Sequence, residues 1–353
     1  MRIGTGTSRI LATVLFSGAM LGLAVRAATA QEDDARVDRA TDTALEYLAR
    51  MQNPDGSWPA GQYNKNAAVA SLTVMAFMAK GHTPGEGRYG EVINKGIDYI
   101  LSVCDPKTGF IVAKGSGSKG GMYCHGTSTL MLAEAVGMTS GEREKKIRGA
   151  LEKAVKLTLE AQKLPRARPE QQGGWRYTPV SRDSDISVTG WQLMSLRAAK
   201  NAGADVPLAA ITDGVAYVKR SASKQGGFGY QVGGGPNHSR TGTGILALEI
   251  CGQHHTPEAI QGAEWLMRNP PAWPDSFFYY AVYYCSQGMF QVGGRYWEFY
   301  QPRLEALLLG LQRSDGSWPL SSGSEEAAGP VYSTSMAVLA LSVKYHYLPI
   351  YQR

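Results

Sequence analysis

The stretch Asp55-Gly56-Ser57-Trp58, leading into Ala67-Ala68-Val69-Ala70-Ser71-Leu72-Thr73-Val74-Met75-Ala76-Phe77-Met78-Ala79, decides the fold. Upstream of the turn, residues 37–50 place apolar side chains at helical spacing with charges between them, the pattern of a helix with one wet face. Downstream, residues 67–79 carry no charge, so a helix there has no face to give to water and is buried all round. Such a pair of helices cannot hide its inner member alone.

The same punctuation recurs at Gly109-Phe110, Gly173-Gly174-Trp175, Gly226-Gly227-Phe228 and Gly316-Ser317-Trp318, with Trp273 after Pro270-Pro271 as a degenerate sixth. Successive aromatics lie 52, 65, 53, 45 and 45 residues apart, room for a helical hairpin with one loop of variable length. The contrast between a charged and an apolar segment recurs as well: 92–103 against 127–136, 147–162 against 187–199, 209–219 against 241–250, and 304–312 against 334–343. In the fifth unit 259–267 precedes 277–284, where the inner segment is aromatic instead of small. An open stack of buried inner helices would leave apolar faces in water at both ends. The pattern therefore predicts an all-α chain closed into a single α/α toroid, six hairpins with an inner and an outer ring of helices.

The chain has 353 residues, 43% hydrophobic and 19% charged, with 42 Gly and 17 Pro, which excludes a disordered, collagenous or disulfide-stapled miniprotein. Residues 1–30 read as a secretory signal: Arg2 and Arg9, an apolar run over 10–25, and Ala28-Thr29-Ala30 before Gln31. Residues 31–353 would then form the toroid domain of a secreted or periplasmic protein. An uncleaved anchor is the alternative. The run is shorter than the roughly 20 residues of a bilayer span, and no later stretch is long and apolar enough for one. The signal holds Arg2, Arg9 and Arg26 and no acid, so its removal takes the net charge from +6 to +3. The remaining basic residues are scattered, which argues against a nucleic-acid partner.

In a ring every inner helix starts at the same end, after its glycine-aromatic turn, so six helix starts converge on one mouth. They bring Asn64 and Asn66; Tyr123, Cys124 and His125; Asp183 and Asp185; His238 and Arg240; Asp275 and Phe278; Tyr332 and Ser333. Converging N-termini favour a negative group there. Asp183-Ser184-Asp185 before an apolar run reads in two ways. It can cap a helix, or it can hold a carboxyl in an apolar cavity where desolvation raises its pKa and lets it give a proton. Two Asp at i and i+2 do not share a helix face, so one can cap while the other points inward. His125 is a candidate for the site or for the core. Cys124 beside it hints at a metal, but no second Cys/His pair follows at ligand spacing, so no metal and no cofactor is expected. Tyr177 and Trp191 join Tyr123, His238, Arg240, Phe278 and Tyr332 as candidate ligand contacts, since aromatic rings in a closed cavity stabilise carbocations or stack on sugars. Cys104, Cys124, Cys251 and Cys285 are even in number in a chain read as exported, which permits disulfides; buried free thiols are the alternative.

Tyr47-Leu48, Gln52 and Asp55-Gly56-Ser57-Trp58 resemble the Gln–Trp motif of triterpene cyclases, and Gln312 with Asp315-Gly316-Ser317-Trp318 repeats it at the same spacing. Over residues 37–347 the chain is similar to the squalene-hopene cyclase and protein prenyltransferase superfamily, a resemblance that implies the toroid independently. Class II cyclases carry Asp-x-Asp-Asp, whose middle Asp protonates the isoprenoid. Asp183-Ser184-Asp185-Ile186 looks like it, with Ile186 in the last place. The resemblance implies Asp185 as general acid and Asp183 as its supporting carboxylate. The zinc ligands of protein prenyltransferases are not matched: Cys285 vaguely resembles their Cys region, but Tyr283 stands where the Asp would be.

Three functions compete at this stage. The first is an exported isoprenoid cyclase in which Asp185 protonates an alkene; it needs a deep apolar cavity in reach of that acid. The second is a non-catalytic toroid that binds a lipid, peptide or protein at an open, shallow mouth. The third is a carbohydrate-active α/α barrel with two carboxylates, Asp185 and Asp275, facing one groove.

Overall fold

Residues 32–113 and 120–352 are described by the computed structural model, and the features read from residues 1–30 and 114–119 lie outside them. An outer helix opens each hairpin: α1 (residues 32–50), α3 (Gly90–Val103), α5 (Gly141–Lys163), α7 (Leu208–Arg220), α9 (Pro257–Arg268) and α11 (Gly294–Leu311). The inner partners are α2 (Ala67–Ala79), α4 (Gly121–Val136), α6 (Ile186–Asn201), α8 (His238–Ile250), α10 (Phe278–Val292) and α12 (Pro330–Leu341). The two kinds differ as their sequences require. α11 buries one stripe, Tyr296, Tyr300, Leu304 and Leu308, at a spacing of one turn. In α2 every residue except Ala68 is buried.

Each inner helix packs on the next, and α12 returns to α2, so the ring is closed. Glycine allows the closest approach: a Cβ on Gly242 of α8 would lie 2.6 Å from the Cys285 backbone nitrogen on α10. Among the described residues no helix is long and apolar enough to cross a membrane.

The glycine-aromatic turns act around the ring. Trp58, Trp175 and Trp318 are buried, and their indole N–H groups donate to Leu48, Thr158 and Leu308 carbonyls at 2.7, 2.8 and 2.8 Å, each on the outer helix just left. Gln52 Nε2 donates to the Gly56 carbonyl at 3.2 Å and to Val92 on α3 at 2.9 Å. Gln312 does the same to Gly316 and, at 2.8 Å, to Ala40 on α1. The structure adds a third copy that linear spacing hides: Gln162 donates to Gly173 and to Ala210 on α7, both at 2.8 Å. Gly56, Gly173 and Gly316 hold φ of +84°, +87° and +91°, and a Cβ on any of them would meet the Lys95, Asp213 or Thr43 carbonyl oxygen within 2.4 Å. Only glycine satisfies both the left-handed turn and that contact.

All four cysteines are free thiols, Cys124 and Cys285 buried and Cys104 and Cys251 partly so. The disulfide alternative is thus set aside. Cys124 Sγ faces Asn66 Oδ1 at 3.5 Å, and Cys285 Sγ faces the His238 carbonyl at 3.4 Å, so these thiols are turned toward polar acceptors on neighbouring turns.

Candidate functional site at the mouth of the ring

Asp185 is the N-cap of α6: its backbone is extended, and Oδ1 accepts from Val188 N at 2.9 Å. Its own N–H donates to the Trp175 carbonyl at 3.0 Å, which ties the cap to the glycine-aromatic turn. The side chain is fully buried, and Oδ2 has no hydrogen-bond partner among the described residues. Arg176 Nε, likewise unpartnered, lies 3.6 Å from it. Burial pushes the Asp185 carboxyl up to about 7, against the Val188 N–H and the Arg176 cation, which both favour the ionised form. Asp183 is turned outward, 41% exposed, and forms an ion pair with the same Arg176. One Asp does not cap while the other points inward: the capping Asp185 is also the buried one, and Asp183 shares its neighbour Arg176.

Aromatic rings surround this acid. The Tyr177 and Tyr230 hydroxyls hydrogen-bond to each other, and the Arg176 guanidinium lies over both rings, 5.0 and 5.6 Å from their centres. Arg240 stacks on Tyr230 at 5.3 Å. Tyr123 is 6.1 Å from Tyr177. Deeper in, Trp191 stacks on Tyr283 at 5.7 Å and meets Tyr284 and Tyr280 edge-on at 5.3 and 6.4 Å, so rings fill the lumen below the mouth. At the far rim, buried Glu325 accepts from the backbone N–H groups of Tyr279 and Tyr280 at 3.1 and 2.8 Å and from the Tyr332 hydroxyl at 3.0 Å. It thereby caps α10 from another hairpin, and burial raises its pKa.

Other candidates fall elsewhere. His125 is not part of the mouth. Its Nδ1 accepts from Ile111 N at 3.3 Å, and its Nε2 faces the Ala154 carbonyl and Thr158 hydroxyl at 3.1 and 3.0 Å, so it is buried between α4 and α5. Burial lowers its pKa to about 4, which keeps it neutral. Phe278 is also core: fully buried, it packs edge-on against Trp273 and Tyr279, both at 5.1 Å. His238 lies 3.6 Å from Asp275 and 5.5 Å from Trp265, partly exposed on the rim, its pKa lowered by burial. Asp275 with His238 and Asp185 with Arg176 are two separate pairs. Among the described residues no group of His, Cys, Asp or Glu gathers to hold a metal ion.

Sequence reasoning left Arg176 and Glu325 out of the site, and placed Tyr230 and Tyr280 only among the aromatics clustered at loops and inner helices. One signal was available: Tyr177 and Tyr230 each stand two residues beyond a glycine-aromatic pair, the offset that brings their hydroxyls together. Two hollows lie away from both Asp185 and Glu325. One is a groove of about 540 Å³ between α3 and α5 lined by Asp98, Leu101 and Arg143; the other is about 10 Å³, beside Tyr351.

The family model for the prenyltransferase alpha-alpha toroid domain matches residues 7–164 and 164–272. No curated protein matches the chain by sequence. Among solved structures, the type II terpene cyclase MstE from Scytonema without ligand is similar at 16% identity and TM-score 0.59, over 89% of this chain and 100% of the cyclase. A variant of that cyclase, solved with geranylgeranyl dihydroxybenzoate as substrate, is similar at 15% identity and TM-score 0.55, over 91% and 99%. An alpha-1,6-mannanase of Salegentibacter sp. HEL1_6 is similar at 11% identity and TM-score 0.61, over 87% and 98%. At these identities the likeness is one of fold.

Proposed function

The chain belongs to the prenyltransferase alpha-alpha toroid domain family, and on that premise we propose that it is an exported enzyme that opens isoprenoid chemistry by proton transfer from Asp185. The observation that supports this is a carboxyl whose pKa burial raises to about 7, one oxygen with no hydrogen-bond partner among the described residues, near aromatic rings at the start of an inner helix. In the proposed step the neutral Asp185 gives its proton to an alkene carbon. A C–H bond forms from the π pair, a carbocation remains, and the aspartate left behind is held by Val188 N–H and Arg176. Tyr123, Trp191 and Tyr280 offer their ring faces to the cation. Loss of a proton to solvent ends the cation, and Asp185 is reprotonated. Since Asp185 is closed to solvent, a ligand reaches it only when side chains over it move.

The filled lumen favours a second reading, a non-catalytic toroid that binds a lipid, peptide or protein at the mouth. The carbohydrate reading has less support, because Asp185 and Asp275 are held in separate pairs. Native mass spectrometry of the protein from its exported fraction, with solvent extraction of what it carries, separates them. A polyprenoid product carried by the protein, and its precursor accumulating in Asp185→Asn, supports catalysis. The same lipid unchanged in both proteins supports binding alone. A mature N-terminus other than Gln31 in that fraction would correct the proposed signal cleavage.

A further inference from the structure

Two of the Gln staples close over a gap of three residues, 53–55 and 313–315, and the third over ten, 163–172. The bond from Gln to Gly is the same in all three, so the longer gap is not needed to make the seam. It carries two buried polar side chains, Arg166 and Gln171, 8% and 1% exposed. All five guanidinium N–H donors of Arg166 meet oxygen acceptors. Nε reaches the Ser184 hydroxyl at 3.2 Å, one terminal nitrogen the Leu164 and Ser181 carbonyls at 3.2 and 2.9 Å, and the other the Ala161 and Gly174 carbonyls at 3.1 and 2.6 Å. None of these acceptors is a carboxylate, and a buried guanidinium without one is a costly way to hold a loop. Three of the five lie in residues 174–184, the segment that carries Arg176 and leads into Asp185.

Gln171 completes the hold on the residue before the acid. Its Oε1 accepts from Ser184 N at 2.8 Å, and its carbonyl accepts from the Ser184 hydroxyl at 2.7 Å. From the next hairpin, Gln231 Nε2 donates to the Ser184 carbonyl at 2.9 Å. Every hydrogen-bonding group of Ser184 is thus engaged, and the Asp185 N–H is taken by Trp175. The inserted segment is fixed in turn from outside, where the Arg220 guanidinium of α7 donates to the Glu170 and Gln172 carbonyls. Held in this way, Asp185 keeps Oδ1 on Val188 N and leaves Oδ2 bare, 3.6 Å from Arg176 Nε.

We propose that residues 163–172 brace the Asp185 carboxyl, with Arg166 and Gln171 as positioning residues that act on it through Ser184. That the braced carboxyl transfers a proton rests on the proposed isoprenoid reading; the brace itself does not. Hydrogen exchange at the Asp185 and Val188 amides reads the brace, and carbon-detected NMR titration of the Asp185 carboxyl reads its effect on the acid. The ionisable side chains facing that carboxyl are Arg176, with Asp183 beyond it, and Tyr123 of α4, Tyr217 of α7, Tyr230 and Tyr280 of α10. Burial raises the pKa of all four tyrosines, so they stay neutral through the titration.

Gln171→Met keeps the length of the side chain and removes an amide Nε2 that has no partner among the described residues, so it disturbs little beyond the Ser184 bond. Exchange at both amides should rise by about tenfold or more. The carboxyl, released toward water, should titrate lower than in the native protein by about one pH unit or more. Arg166→Met should do the same more strongly; if it does not fold, Gln171→Met decides alone. Gln312→Ala, which opens a staple in another hairpin, should move neither readout. Glu134 on α4, a second buried carboxyl with its pKa raised to about 8, is the reference that stays in place throughout. Unmoved exchange in Gln171→Met overturns the brace, and so does an equal rise in Gln312→Ala. Faster exchange with the titration unmoved overturns its action on the acid. A native Asp185 that titrates at the ordinary 3.8 defeats the isoprenoid reading and leaves the exchange result to decide the brace.

Discussion

Replacing Asp185 by asparagine tests whether burial has made this carboxyl a neutral acid. In the folded protein its pKa is about 7, against 3.8 for an unperturbed side chain. At about 1.36 kcal/mol per pH unit, ionising it inside the fold opposes folding by about 4 kcal/mol. The sign follows from proton binding. Below about pH 4 both states are protonated and the group costs nothing. As pH rises from there to about 7, the unfolded chain releases its proton while the folded one keeps it, so stability falls; above 7 the loss is complete. The asparagine side chain has no proton to lose, and its carbonyl can accept the same Val188 N–H. Its amide adds a buried donor worth about 1–3 kcal/mol if left unpaired, but that is the same at every pH and cancels in the comparison. Urea unfolding of both proteins at pH 4 and pH 8, followed by circular dichroism, should show the variant gaining up to about 4 kcal/mol on the native protein between the two pH values. Glu134 contributes the same slope to both. Parallel stability curves would refute the reasoning and return Asp185 to the role of a helix cap.

Arg176→Met should raise the Asp185 pKa above 7, since Arg176 is a cation that favours the carboxylate; carbon-detected NMR titration reads it, and an unmoved value would show that Arg176 serves Asp183 alone. His125→Ala should destabilise the protein by about 2–4 kcal/mol, because it strands the buried Ile111 N–H and leaves a cavity between α4 and α5. His125 should contribute a loss of stability as pH falls from 6.5 toward 4, since it is neutral when folded and takes up a proton on unfolding; this component, opposite in sign to that of Asp185, should vanish in the variant. Gln312→Ala should cost about 1–3 kcal/mol by thermal melting, and Gln162→Ala as much, even though only the first lies in a motif visible as Gln-to-Trp spacing.

The ring was legible because its signal is a contrast in composition. α2 has no charge and α1 has many, and that difference survives any error in helix bounds. Gln162 was not legible, because residues 163–172 separate it from Gly173 and hydrogen bonds, not spacing, define the staple. At the mouth, Asp185 could be read from its place before an apolar run. What could not be read was rotation. His125 and Phe278 stand at helix starts like Tyr123 and Tyr280, but His125 is on a face turned to α5 and Phe278 packs on Trp273 of the preceding loop. Glu325 reaches α10 from a loop 45 residues later, a pairing that the packing of one hairpin on the next produces.

The staples have a consequence for how the chain assembles. Gln52 and Gln162 each reach forward to the next outer helix, but Gln312 reaches back across 272 residues to Ala40. Five hairpins can add in order as they leave the ribosome, each covering its predecessor, while the first waits with one flank bare for the last. Closure is then a single late, long-range event, and its bonds are the same in kind as those at other seams. Joining the segment after α12 to α1 by a linker and opening the chain between α6 and α7 would move that event to a new place. A circular permutant of this kind should reach the same ring with a different hairpin left exposed until the end.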